Sequence, residues 1–159
     1  MSRKCQDMDL KRVALNKEAN SLIVQVFRLN GLLLHTADNL VSKFGLTGAR
    51  WQVLGAIARA GQPETISSIA RNMGLTRQSV HRVVREMEAE GMLAFSDNPL
   101  HKRAKLVMMT KKGEAAFLAA LELQGPWVKA LSDGISKQRL VDANEVLQAI
   151  SKRLEDQKG

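Results

Sequence analysis

The sequence predicts a mainly α fold that carries one small β-hairpin, and three observations predict it. Apolar residues recur at three- and four-residue steps along most of the chain, the spacing of helices that bury one face. Glycine closes these runs at positions 45, 61, 74 and 91, and Ser or Thr opens the runs that follow. Only the stretch 92–109 breaks the pattern: two short apolar runs flank Ser96-Asp97-Asn98-Pro99 and a basic tip.

Residues 1 to about 15 are mixed and polar, and the start of the chain is expected to be poorly ordered. From Glu18 a long helix is predicted on Ile23, Val26, Phe27, Leu33, Leu34, Ala37, Leu40, Val41 and Phe44, ending at Gly45. A helix that long seldom buries its whole face against its own chain, so partner helices from a second subunit are expected. Thr47 caps a second helix carrying Trp51, Val53, Leu54, Ile57 and Ala58. Residues 62–64 read as a loop, because Pro63 cannot continue a helix. Thr65 or Ser67 caps a short helix with Ile66, Ile69, Ala70 and Met73 inward. Thr76 then caps the helix 76–90. Two short helices joined by a Gly-containing turn form a helix-turn-helix, whose second helix enters the DNA major groove. The hairpin tip beside it, 95–105, is a basic wing suited to the adjacent minor groove.

Thr110 caps the next helix, on Ala115, Phe117, Leu118, Ala120 and Leu121, which Gly125-Pro126 is expected to interrupt or kink. Ser136 caps the last, on Leu140, Ala143, Val146, Leu147, Ile150 and Leu154. The expected organisation is therefore an N-terminal arm and long dimerisation helix (1–45), a winged helix-turn-helix DNA-binding domain (46–110), and C-terminal dimerisation helices (111–159).

The helix 76–90 organises this reading. Val80, Val83, Val84 and Met87 make one apolar stripe, and Gln78, His81, Arg82 and Arg85 fall opposite. Arg77, Arg82 and Arg85 lie towards its start, while Glu86, Glu88 and Glu90 crowd its end. The helix macrodipole favours the reverse order, each misplaced charge costing roughly 0.3–1 kcal/mol. Arg82–Glu86 and Arg85–Glu88 pairs recover a few tenths each. A basic, donor-rich first half is what a helix needs to read base edges, arginine matching guanine and glutamine adenine. The candidate major-groove contacts are Thr76, Arg77, Gln78, Ser79, His81 and Arg82. Arg85 is assigned to phosphate, and Lys102 and Arg103 to the wing.

The net charge of +8 favours an anionic partner, of which double-stranded DNA is the commonest. The single cysteine, Cys5, excludes an intrachain disulfide framework. Neither a leader-like segment nor a run of 18 apolar residues is present, so a cytoplasmic protein with no membrane partner is expected. His35, His81 and His101 lie in three elements without metal-ligand spacing, and no phosphate-loop motif occurs, so neither cofactor, metal nor enzyme activity is expected.

With these residues in view, the sequence resembles the MarR family of winged-helix transcription regulators over residues 18–155. The resemblance rests on Gly45-Leu46-Thr47 followed by Trp51-Gln52-Val53-Leu54, and on Ile69-Ala70 before Gly74-Leu75-Thr76. It rests further on Met87-Glu88-Ala89-Glu90-Gly91 and on a wing running from Asn98 to Val107 and closing in Met109-Thr110-Lys111-Lys112-Gly113. It implies a homodimer with interlocked terminal helices that binds a pseudo-palindromic operator, often as a repressor, with Arg103 entering the minor groove. His101 stands where the family carries a wing aspartate, and Phe95 and Ser96 where its basic partners are common, so the usual bracing ion pair is expected to be missing. In its place His101 would add a donor, and positive charge in acid.

The resemblance also implies release by a small aromatic or lipophilic anionic effector in a crevice that His35 and Trp51 could line. Trp51 reads first as a core tryptophan, and His35, on the long helix, at least as readily as a structural histidine. Cys5 is the one thiol through which an oxidant could act, and any disulfide would be intermolecular. The competing reading is a winged-helix interaction module, or an antagonist of another regulator, docking its basic face on an acidic protein.

Overall fold

The computed structural model describes residues 3–101 and 103–157, with side chains from Asn16 onward. The elements run α1 (Arg3–Val41), a 3-10 turn (Ser42–Phe44), α2 (Gly48–Ala60), β1 (Glu64–Thr65), α3 (Ile66–Asn72), α4 (Arg77–Ala89), β2 (Leu93–Ser96), β3 (Leu106–Met109), α5 (Lys111–Leu131) and α6 (Lys137–Asp156). The mainly α class with a small wing is thus observed. They fall into two units divided after Leu121.

In the first unit, α1 starts at Arg3 instead of near Glu18. The polar stretch ahead of Glu18 contains neither glycine nor proline and is rich in good helix formers, so propensity carries the helix where apolar periodicity is silent. The side chain of Cys5 lies outside the described residues. α1 ends at Val41, and a 3-10 turn leads to Gly45, which is left-handed at φ 71°.

Each N-cap expected from the sequence is made. The hydroxyls of Thr47, Thr65, Thr76 and Thr110 accept from the backbone N–H three residues on, at 3.2 Å in every case. Of Thr65 and Ser67, it is Thr65 that caps α3. After α3 and α4 the chain turns through Gly74 (φ 65°) and Gly91 (φ 72°). At both turns the next N–H reaches back five residues, Leu75 to Ala70 and Met92 to Met87, each at 2.9 Å. Only a left-handed residue allows that closure, which is why glycine stands at both.

The core gathers Val41 from α1, Val53 and Leu54 from α2, Ile69 from α3, Val80, Val84 and Met87 from α4, and Val107 from β3. Each such side chain contributes about 1.5–3 kcal/mol when taken fully out of water. Val83, the fourth member of the predicted stripe, is half-buried.

The sheet has three antiparallel strands in the order β1-β3-β2, not a hairpin alone. Glu64 and Thr65 pair with Val107 and Leu106. Two residues show no alternation, so this strand has no sequence signature; it forms because the start of α3 is packed beside the wing. β2 and β3 pair from Leu93–Met109 to Ser96–Leu106. A four-residue hairpin is marginal by itself; buried Met92, Leu93 and Val107 fasten it to the helices.

α5 runs unbroken through Pro126, so the expected interruption does not occur. Proline removes one N–H and strains the preceding turn. Gly125, with no Cβ to meet the proline ring, eases the restriction on the residue before it. In the second unit α6 is capped by Ser136, whose hydroxyl accepts from Arg139 N–H at 3.4 Å. No residue of α6 is buried.

Gly113 in the first turn of α5 lies directly against the backbone of Met92, and a Cβ added there would overlap the Met92 carbonyl oxygen. Gly113→Ala is therefore expected to destabilise the fold by about 1–3 kcal/mol, measured by denaturant unfolding of parent and variant.

Candidate nucleic-acid interface

The sequence of α4 divides its exposed face into two ridges. Arg77, His81 and Arg85 follow each other at four-residue steps, and Gln78 and Arg82 form the adjoining row. The first ridge faces the wing. Between them lies a groove of about 300 Å³ lined by Thr65, Ile66 and Ser67 at the start of α3, by Arg77, His81, Arg85 and Glu88 of α4, by Phe95 of β2, and by Arg103, Ala104 and Lys105 of the wing. The structure therefore brings together four of the candidate contact residues, Arg77, His81, Arg85 and Arg103. It adds Lys105 and Ser67, which the sequence reading did not single out. In the sequence Lys105 carries no signal beyond the basic run of the wing, and Ser67 none beyond an alternative cap.

Gln78 and Arg82 are exposed but lie outside the groove. Arg82 pairs with Glu86 at 3.2 Å and keeps three quarters of its side chain in solvent. Arg85 pairs with Glu88 at 2.6 Å, and its guanidinium stands over the Phe95 ring, 5.7 Å from the centre. Both expected intrahelical pairs are thus present. The contact with Phe95 places the Arg85 guanidinium at the wing base, beside the groove. Thr76 and Ser79 are tied hydroxyl to hydroxyl at 2.7 Å, so capping occupies part of their hydrogen-bonding capacity.

Lys102 lies outside the described residues. Around it the wing is held by local turns. Asn98 Oδ1 accepts from Leu100 N–H at 2.9 Å. His101 N–H donates to Asn98 O at 3.2 Å, and Ala104 N–H to His101 O at 3.0 Å. His101 is exposed. Elsewhere in the first unit, Trp51 is buried in α2, and His35 is exposed on α1. Among the described residues no group of His, Cys, Asp and Glu is placed to hold a metal ion, and no helix is long and apolar enough to cross a membrane.

The rear of α4 carries a second set of contacts that the sequence reading missed. Arg50 of α2 forms a two-pronged ion pair with Glu90, at 2.6 and 2.8 Å. The same guanidinium approaches Glu86 at 3.8 Å and donates to the Gly45 carbonyl at 3.1 Å. Lys112 Nζ donates to Glu90 O at 2.7 Å, and the Thr110 hydroxyl to Gly91 O at 2.7 Å. Partners forty residues apart leave no periodic trace, so only the charge mismatch along α4 could have pointed to them.

The family model described as MarR family matches residues 44–104. An uncharacterized protein of Mycobacterium tuberculosis is 32% identical over 108 residues, 68% of this chain and 74% of that protein. The transcriptional activatory protein BadR of Rhodopseudomonas palustris is 28% identical over 137 residues, 79% of this chain and 78% of its own length. Among solved structures, the M. tuberculosis transcriptional regulator MOSR in complex with DNA superposes with a TM-score of 0.70 at 20% identity, covering 84% of this chain and 96% of that one. CouR from Rhodococcus jostii bound to p-coumaroyl-CoA gives 0.73 at 20% identity, covering 84% and 93%. These last two share the fold.

The hydrogen bond and charge of Arg50, helped by Lys112, hold the Glu90 carboxyl below the ordinary glutamate value of 4.5. A carboxylate depressed in the folded state adds stability that is complete above its unfolded value and is lost as pH falls through the lowered one. At neutral pH the parent should melt above Glu90→Gln. Thermal melts at low salt should show that gap closing as the pH drops below 4.5.

Proposed function

Because the chain belongs to the MarR family of DNA-binding transcription regulators, we propose that it binds a pseudo-palindromic operator as a homodimer, α4 in the major groove and the wing in the minor groove. It is a regulator and not an enzyme. The observation that carries the DNA pose is the groove in which Arg77, His81 and Arg85 of α4 face Arg103 and Lys105 of the wing. That arrangement spaces cations along two elements, as a duplex backbone passing from one groove to the next requires. Thr76, Arg77, Gln78, Ser79, His81 and Arg82 meet bases or phosphates, Arg85 a phosphate, and Lys102 and Arg103 the minor-groove side.

The homodimer is supported by apolar surface that the single chain leaves open. On α1, Phe27 is 74% exposed, and Ile23, Val24, Leu29 and Leu32 are exposed with it. On α6, Val141, Val146, Leu147 and Leu154 are exposed. Closed two-fold pairing is the commonest way to bury such faces. Sedimentation equilibrium should give twice the 17.6 kDa chain mass at micromolar concentration; a monomer there would refute the dimer.

The regulator is further proposed to release DNA on binding a small aromatic or lipophilic anion, a reading supported by the p-coumaroyl-CoA complex of CouR. His35 and Trp51 are its proposed contacts; buried Trp51 would require the effector to enter the core, whereas His35 is open on α1. We read the output as repression. A reporter driven from the bound operator should fall when the chain is expressed; a rise would move it to the activator side, on which BadR is named.

Selection from a pool of random duplexes is the direct test. An inverted repeat with half-sites about 10 base pairs apart is expected. Salt-sensitive binding with no enriched motif would instead favour the interaction-module reading. On the selected duplex, Gln78→Ala should relax base preference. Lys102→Ala should weaken all sequences alike and flatten the salt slope by about one. Equal loss on selected and random DNA for Gln78→Ala would remove the base-reading role.

A further inference from the structure

We propose that Arg50 is a positioning residue for DNA reading: it sets the pose of α4 by gripping the helix's rear end, away from the groove. The inference rests on the DNA-binding reading and adds to it a residue that touches no base or phosphate. Three segments meet at its guanidinium. It stands in the first turn of α2, donates to Gly45 O at the end of the 3-10 turn after α1, and holds both carboxylate oxygens of Glu90. Only 17% of its side chain is exposed, and the pair is forked, the geometry that fixes direction as well as distance.

The grip is placed where leverage matters. α4 has 13 residues, so it is roughly 20 Å long. Its candidate base contacts lie in the first half, and Glu90 lies just past the last turn. A tilt of about 5° about the middle of a helix roughly 20 Å long moves each end by about 1 Å. Contact geometry must hold to about 0.5 Å. The buried stripe of Val80, Val84 and Met87 fixes the depth of the helix, and the forked pair adds a directional contact at its far end, where the lever arm is longest. Lys112 and Thr110 hold the carbonyls of Glu90 and Gly91, so the backbone at that end is anchored while Arg50 fixes its direction. Phosphate contact is not needed for any of this, since the Arg50 donors are already directed at Glu90 and Gly45.

The test uses the full-length chain, the duplex it selects from a random pool, and a random duplex of equal length. Arg50→Ala should lower affinity for the selected duplex about tenfold, the size of one damaged base-pair contact. Affinity for random DNA and the salt slope should stay unchanged. Arg50→Lys, which keeps the charge and a donor but not the fork, should lose less selected-site affinity than Arg50→Ala while leaving random-DNA affinity unchanged. Glu90→Gln, which keeps size and shape, should lose affinity in the same direction if Arg50→Ala proves too unstable to assay. An unchanged selected-site affinity in a folded Arg50→Ala would overturn the proposal. So would equal losses on both duplexes with a slope reduced by about one, which would make Arg50 a phosphate contact. If the parent selects no motif, the DNA reading fails and takes this inference with it; if the parent selects one and the variants match it, only the inference fails.

Discussion

Everything in the DNA-reading unit depends on burying one narrow stripe of α4. Val80, Val84 and Met87 have almost no contact with water. Their spacing leaves the other side of the helix free to carry arginine, histidine and glutamine without any of them entering the core. The α2 and α3 helices pack against that stripe, and the hairpin leans on the same core through Leu93 and Val107. The wing is thereby brought within a groove's width of the Arg77–His81–Arg85 ridge. Packing and function are separated by face, so each can be satisfied independently.

The same helix carries its charges in the order its macrodipole disfavours, basic first and acidic last. Two intrahelical pairs and the Arg50 and Lys112 contacts compensate it. Exposed i,i+4 pairs recover only tenths of a kcal/mol. The forked Arg50–Glu90 pair, shielded on its arginine side only, adds to that compensation, and it ties α4 to the corner between α1 and α2. A helix shaped to attract an anion at its front thus acquires a cationic brace at its back.

Much of the remaining apolar surface is unspent within the single chain. The exposed rows on α1 and α6 lie in different units, and each is too apolar for an ordinary solvent face. By contrast the DNA-reading unit contains no buried polar side chain lacking a partner among the described residues. Its interior is complete, and what is left open is the terminal helices and the basic groove.

The sequence by itself determined the helices of the reading unit, their caps and their stops. These are local matters: a threonine hydroxyl reaches an N–H three residues on, a left-handed turn wants glycine, and an apolar stripe follows from 3.6-residue periodicity. It also determined that α4 has a basic exposed face and a basic wing following it. Tertiary structure decided what had no local signal. β1 exists because α3 begins beside the wing. Tertiary structure likewise chose which cations meet, joining Lys105 to Arg77, His81, Arg85 and Arg103 while leaving Gln78 and Arg82 on the next row. It alone paired Arg50 with Glu90, because attraction between charges depends on distance in space, and residues forty positions apart acquire that distance only when the core has closed.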